Sequence, residues 1–78
     1  MNKIAREILE VLSGWDAPAA EAVIYSQVSA RVPGGVMVSE WDDALAACEH
    51  GRWITGVRDP IMGKLYTLTN KGRAQRHV

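Results

Sequence analysis

An α+β fold, three helices followed by a small antiparallel β-hairpin, is what this 78-residue sequence predicts. Three observations carry it. Apolar residues recur at helical spacing through residues 4–31. A segment with helix-start and helix-stop signals runs from Ser39 to Gly51. Two runs of strand formers, Arg52 to Val57 and Lys64 to Thr69, flank a loop that holds Pro60 and Gly63. A chain of this length supports one core, so residues 1–78 are expected to form one domain. With 47% apolar and 23% charged residues it falls among folded globular chains, not disordered ones.

In the first segment Ile4, Ile8, Leu12 and Trp15 form a helical stripe, with Ala5, Leu9 and Val11 beside it. Lys3, Arg6, Glu7 and Glu10 fall on the other side, and Gly14 is placed to end the helix. Residues 16–20 admit two readings. Either Asp16 caps a second helix with Pro18 in its first turn, or Ala17–Ala20 form a short strand before a shorter helix. Ala20, Val23, Ile24, Gln27 and Val28 give that helix a stripe reaching to about Arg31. Val32-Pro33-Gly34-Gly35-Val36 is a break, longer than a standard helix-turn-helix turn.

Ser39-Glu40-Trp41-Asp42 reads as a capping-box-like start, with Asp42 at the third position. Trp41, Ala44, Leu45 and Cys48 are its buried stripe, and Gly51 is its stop. The loop Arg58–Gly63 is too long for a two-residue hairpin. Residues 70–78 are a polar, basic tail that either continues as a short helix from Thr69 or Asn70 or frays. Trp41, Leu45, Ile8 and Leu68 are the expected centre of the core, with Trp15 and Trp53 closing it.

Composition narrows the function classes. One cysteine, Cys48, excludes an internal disulfide and fits a cytoplasmic protein stabilised by packing. No apolar run approaches the roughly 18 residues that span a bilayer, and the charged start does not read as a signal peptide. Cys48, His50 and His77 are the only metal or nucleophile candidates, and they share no ligand or triad spacing. A non-enzymatic protein without cofactor or metal is therefore expected. Net charge is zero, but residues 1–50 carry −5 and residues 51–78 carry +5. A basic half can attract phosphate, and an acidic half can attract a basic protein.

The segment Ser39 to Arg73 resembles the C-terminal half of winged-helix transcription regulators of the PadR and MarR type. There a helix of pattern S-x-x-x-x-x-L ends in glycine, and a strand, a wing and the phrase Y-x-L-T-x-x-G come after it. Here the phrase is Tyr66-Thr67-Leu68-Thr69-Asn70-Lys71-Gly72. The resemblance implies a three-helix core with a hairpin wing, a third helix that reads the major groove of double-stranded DNA, and a wing on the backbone. Those families usually dimerise through added helices, for which this chain has almost no room; a homodimer stays among the expected partners.

Two functional expectations result. The first is a DNA-associated regulator that contacts phosphate through Arg52, Arg58, Lys64, Lys71 and Arg73, mainly on and after the wing. The second is a protein-interaction module or inhibitor that presents Glu40 and Asp43 of the third helix, with Ile61 and Met62 at the wing tip, to a basic protein surface. The third helix bears Glu40, Asp42, Asp43 and Glu49 and no Lys or Arg, so it lacks the usual bidentate base-reading cations. Carboxylates in its first turn also compensate the helix dipole, which is sufficient structural reason for them.

Overall fold

The computed structural model describes residues 2–76. Helix α1, Lys3–Ser13, starts where Asn2 Oδ1 accepts the backbone N–H of Ile4 at 2.7 Å. It buries Ile4, Ala5, Ile8, Leu9, Val11 and Leu12 and closes where Gly14 N–H meets the Val11 carbonyl at 3.1 Å.

Of the two readings for residues 16–20, the strand is the one formed. β1, Ala19–Ala20, pairs with Tyr66 and Leu65, and α2 spans Glu21–Arg31 with Ala20, not Asp16, at its N-cap. No side chain caps α2; Glu21 instead sets a carboxylate against the positive end of its dipole. The α2 stripe is narrower than the spacing suggested. Ile24 and Val28 are fully buried, whereas Val23 and Gln27 face outward. Tyr25, partly buried, packs at the margin of the core.

Helix α3, Val38–His50, comes after the Val32–Val36 break and starts one residue before the expected Ser39 cap. The N-cap residue is Met37, whose N–H donates to Glu40 Oε1 at 3.2 Å. Trp41, Ala44, Leu45 and Cys48 are buried, as their spacing requires. Gly51 ends the helix as its C-cap, as expected. Trp53 N–H bonds the Cys48 carbonyl at 3.0 Å and Arg52 N–H that of Glu49 at 3.0 Å, the pair that defines a Schellman motif. The residue in the left-handed position is therefore Arg52, at φ 61°, while Gly51 is right-handed at φ −75°. Gly51 is small for another reason: a Cβ there would lie 2.9 Å from the Trp53 ring. Because a non-glycine residue is disfavoured at positive φ, Arg52→Gly is expected to stabilise the domain by about 0.5–1 kcal/mol in urea unfolding. A loss of stability would show that the Arg52 side chain is itself needed for folding.

Strands β2, Ile54–Asp59, and β3, Gly63–Leu68, complete an antiparallel sheet of order β1-β3-β2. The hairpin is tighter than the sequence suggested. Asp59 pairs with Gly63, leaving only Pro60, Ile61 and Met62 as loop. Asp59 Oδ1 accepts the N–H groups of Ile61 and Met62, both at 2.8 Å. Pro60 comes next, at the favoured second turn position, and Gly63 takes φ 82°, the left-handed residue that closes a three-residue hairpin. Ile54, Tyr66 and Leu68 face inward and are buried.

The basic tail forms helix α4, Asn70–Arg76; His77 and Val78 lie outside the described residues. Thr69 organises its start. Its hydroxyl lies 2.7 Å from the Arg52 carbonyl and 2.9 Å from that of Trp53, and it accepts Gly72 N–H at 3.0 Å. Arg76 Nε reaches Glu10 Oε1 at 3.0 Å and ties α4 to α1. One contiguous core draws residues from α1, β1, α2, α3, β2 and β3, with Trp15, Tyr25 and Trp53 packed at its margin.

Candidate functional site

The hairpin lies alongside α3. Its base adjoins the C-terminal end of the helix, and its tip stands near the first turn. Between the tip, the first turns of α3 and the start of α2 is a groove of about 460 Å³. Ala20, Tyr25 and Trp41 contribute its inner surface, and Val38 and Met62 its outer apolar edge. Glu21, Asp42 and Lys64 also line it. The inner surface is locked. Trp41 is 3% exposed, and its Nε1–H donates to Glu21 Oε2 at 2.9 Å. Tyr25 meets its ring edge-on at 5.1 Å and donates its hydroxyl hydrogen to the Val36 carbonyl.

The outer edge is open. Ile61 is 92% exposed, and Met37, Val38 and Met62 are each at least 60% exposed. Ile61 and Met62 therefore do not fold back under the hairpin. Glu40, Asp42 and Asp43 are exposed on the adjoining turns of α3. Of the four residues expected for protein contact, Met62 lines the groove and Ile61 is exposed next to it at the hairpin tip. Glu40 and Asp43 are exposed on the first turns of α3 but are not part of the groove lining. Met37, Val38, Tyr25 and Ala20 join them, and none was singled out as a contact residue from sequence. The signal for Met37 and Val38 was an apolar pair stranded between a Pro-Gly-Gly break and an acidic helix start.

The five cations expected for phosphate contact are not gathered in one place. Lys64 Nζ bonds Glu49 Oε2 at 3.0 Å and sits 5.3 Å above the Tyr66 ring. The hydrogen bond to Glu49 raises the Lys64 pKa, so this cation stays charged and already has a counter-charge. Gly56 keeps the path clear, since a Cβ there would approach Lys64 Cε to 2.6 Å. Arg58 pairs in register with Lys64, is exposed, and has no ion pair among the described residues. Arg58 is four residues along β2 from Ile54, roughly 13 Å at about 3.3 Å per residue, and Arg52 lies in the turn before that strand. Lys71 and Arg73 stand with Arg52 near the hairpin base, where Thr69 is bonded to the Arg52 carbonyl.

Other chemistry is sparse. Burial pushes the Cys48 thiol up to about 12, and its Sγ rests 3.8 Å from the Ala5 carbonyl, so it is an inert packing group. His50 is exposed on a different side of α3. Among the described residues no three His, Cys, Asp or Glu side chains come together to hold a metal ion, and no helix is long and apolar enough to cross a membrane.

The Asp59 carboxyl is held below the usual range by the N–H groups of Met62 and Ile61. A depressed folded-state pKa stabilises above the unfolded value, and the contribution is lost as pH falls through the folded value. The stability advantage of the parent over Asp59→Ala is expected to shrink between about pH 6 and about pH 2, read by urea unfolding across that range. A constant difference would mean the carboxylate does not hold the loop.

Comparison with protein-family models, with curated proteins and with solved structures finds no match to this chain.

Proposed function

We propose that the chain is a winged-helix binding module without catalytic activity, and that its contact face, α3 with the hairpin as wing, serves a protein partner. The order α1-β1-α2-α3-β2-β3 with sheet order β1-β3-β2 supports the winged-helix assignment. The observation that carries the partner class is the pairing of exposed carboxylates with an exposed apolar groove edge at one end of that face. Glu40, Asp42 and Asp43 would meet phosphate with repulsion if α3 entered a DNA groove, opposing the counterion release that drives such binding. Toward a basic protein the same charges steer encounter, and the apolar edge supplies contact area.

One observation favours the DNA reading. Arg52, Arg58, Lys71 and Arg73 are exposed and have no ion pair among the described residues. Contact through them would be led by phosphate and weakly specific in sequence.

Site-specific photo-crosslinking in the native host separates the two. A photoreactive side chain at position 61 is expected to capture protein, and one at position 73 is not. Capture of nucleic acid at position 61 would reverse the assignment. So would a low-salt gel shift in which Arg58→Ala weakens duplex binding uniformly and lowers the salt slope by about one.

A further inference from the structure

Resting on the protein-binding reading above, we propose that the groove between the wing tip and the first turn of α3 takes a basic segment of a partner protein. The segment inserts one large apolar side chain against Trp41, Val38 and Met62 and sets Lys or Arg beside Asp42.

Size and preorganisation fit this occupant. A volume of about 460 Å³ falls in the roughly 300–1,000 Å³ range of binding pockets. The inner surface is fixed before any partner arrives, by the Trp41–Glu21 hydrogen bond and the edge-on Tyr25 ring, which lowers the ordering cost of binding. Met37 and Met62 at the margin are exposed and conformationally adaptable.

Charge fixes the sign of the partner. Glu21 and Asp42 line the groove, and Asp42 has no ion pair among the described residues. Glu40 and Asp43 are exposed on the adjoining sides of α3 and add to the acidic field without lining it. The cation on its wall, Lys64, is already matched by Glu49. A basic segment therefore finds unmatched counter-charge, whereas an acidic segment or nucleic acid finds repulsion.

A second copy of this chain fits less well. Its exposed cations Lys3, Arg6, Arg52, Lys71 and Arg73, none in an ion pair among the described residues, adjoin no exposed large apolar residue in sequence. Arg58 is next to the exposed Val57 in sequence but points to the opposite face of the strand.

The test is NMR titration of the full chain with three probes: a short amphipathic Lys/Leu peptide, its Glu/Leu counterpart, and a mixed-sequence DNA duplex. The Lys/Leu peptide is expected to shift the Trp41 indole N–H and the Met62 methyl signals, and the other two are not. Ala22→Trp, which fills the groove from an exposed position, should weaken the peptide by roughly tenfold or more, as should Val38→Lys. Both variants are first checked by thermal unfolding. Arg73→Ala should bind like the parent.

If Glu40→Lys and Asp43→Lys weaken the peptide while Ala22→Trp and Val38→Lys do not, the groove inference fails and the protein-binding face stands. If the duplex moves these signals and the peptide does not, both fail. Self-association in sedimentation equilibrium that Ala22→Trp abolishes would make a second copy the occupant and overturn the proposal.

Discussion

Gly72→Ala is expected to destabilise the protein by at least about 3 kcal/mol, near the top of the range for overpacking. The α4 backbone lies directly on that of Trp53. A Cβ at position 72 would overlap the Trp53 carbonyl oxygen, reach 2.9 Å from its carbonyl carbon and come 2.7 Å from Leu68 Cδ1. Leu68 could rotate away, but a carbonyl in the turn between α3 and β2 cannot. Relief requires α4 to lift. Lifting breaks the Gly72 N–H bond to Thr69 and the Arg76–Glu10 pair, and it uncovers the Trp53 edge of the core. Urea unfolding of Gly72→Ala beside Lys71→Ala reads the effect. The exposed neighbour should stay within about 0.5 kcal/mol of the parent. A cost under about 1 kcal/mol for Gly72→Ala, typical of an unconstrained site, would mean that α4 pivots freely and is not fastened at its start.

That close approach gives physical content to the phrase Tyr66-Thr67-Leu68-Thr69-Asn70-Lys71-Gly72. Tyr66 and Leu68 fill the core, Thr69 bonds the turn after α3 and the start of α4, and Gly72 lets the two backbones touch. The phrase was visible in the sequence; why its last position must be glycine was not, because Trp53 is distant along the chain. The α3 stripe was legible for the opposite reason. Trp41, Ala44, Leu45 and Cys48 face one way on a single helix, and periodicity alone finds them. β1 lay at the limit of legibility, since two alanines have no strand propensity and become a strand only by pairing with β3. Gly51 was legible as the stop of α3 and is its C-cap; that the left-handed position falls to Arg52 was not legible, because nothing in an arginine signals positive φ.

The groove could not be read from sequence for a geometric reason. Its walls come from residues 20–25, 38–42 and 62–64, three stretches that tertiary packing alone brings together. Charge was legible in sign and only partly in place. Of the six cations in residues 51–78, Lys64 and Arg76 are matched by Glu49 and Glu10 of the first half. The split of −5 against +5 along the chain is therefore not a clean split between two faces. Of the charged groups that line the groove, Lys64 is matched by Glu49 while Asp42 has no ion pair among the described residues, which is the basis for assigning a basic segment to the groove. The unmatched Arg58 stands beyond Lys64, on β2.

Trp41→Ala is the other large effect expected, about 3–5 kcal/mol, the range for removing a buried aromatic ring. The ring is 3% exposed and stands where α3 meets α2, edge-on to Tyr25 and bonded to Glu21 at 2.9 Å. Its loss leaves a void that Tyr25 cannot follow, because the Tyr25 hydroxyl is tied to the Val36 carbonyl. Trp41→Phe removes the N–H together with the smaller part of the ring and keeps a phenyl in the core, so the expected cost is about 1–2 kcal/mol. Glu21 is partly exposed and can turn to water. Urea unfolding of the two variants should give that order with a gap of at least about 1 kcal/mol. Equal costs would place the stabilisation in the Glu21 bond and not in the ring. In the Phe variant the folded protein keeps an apolar groove floor, so binding of the Lys/Leu peptide should persist there even though the indole N–H that reports it is gone.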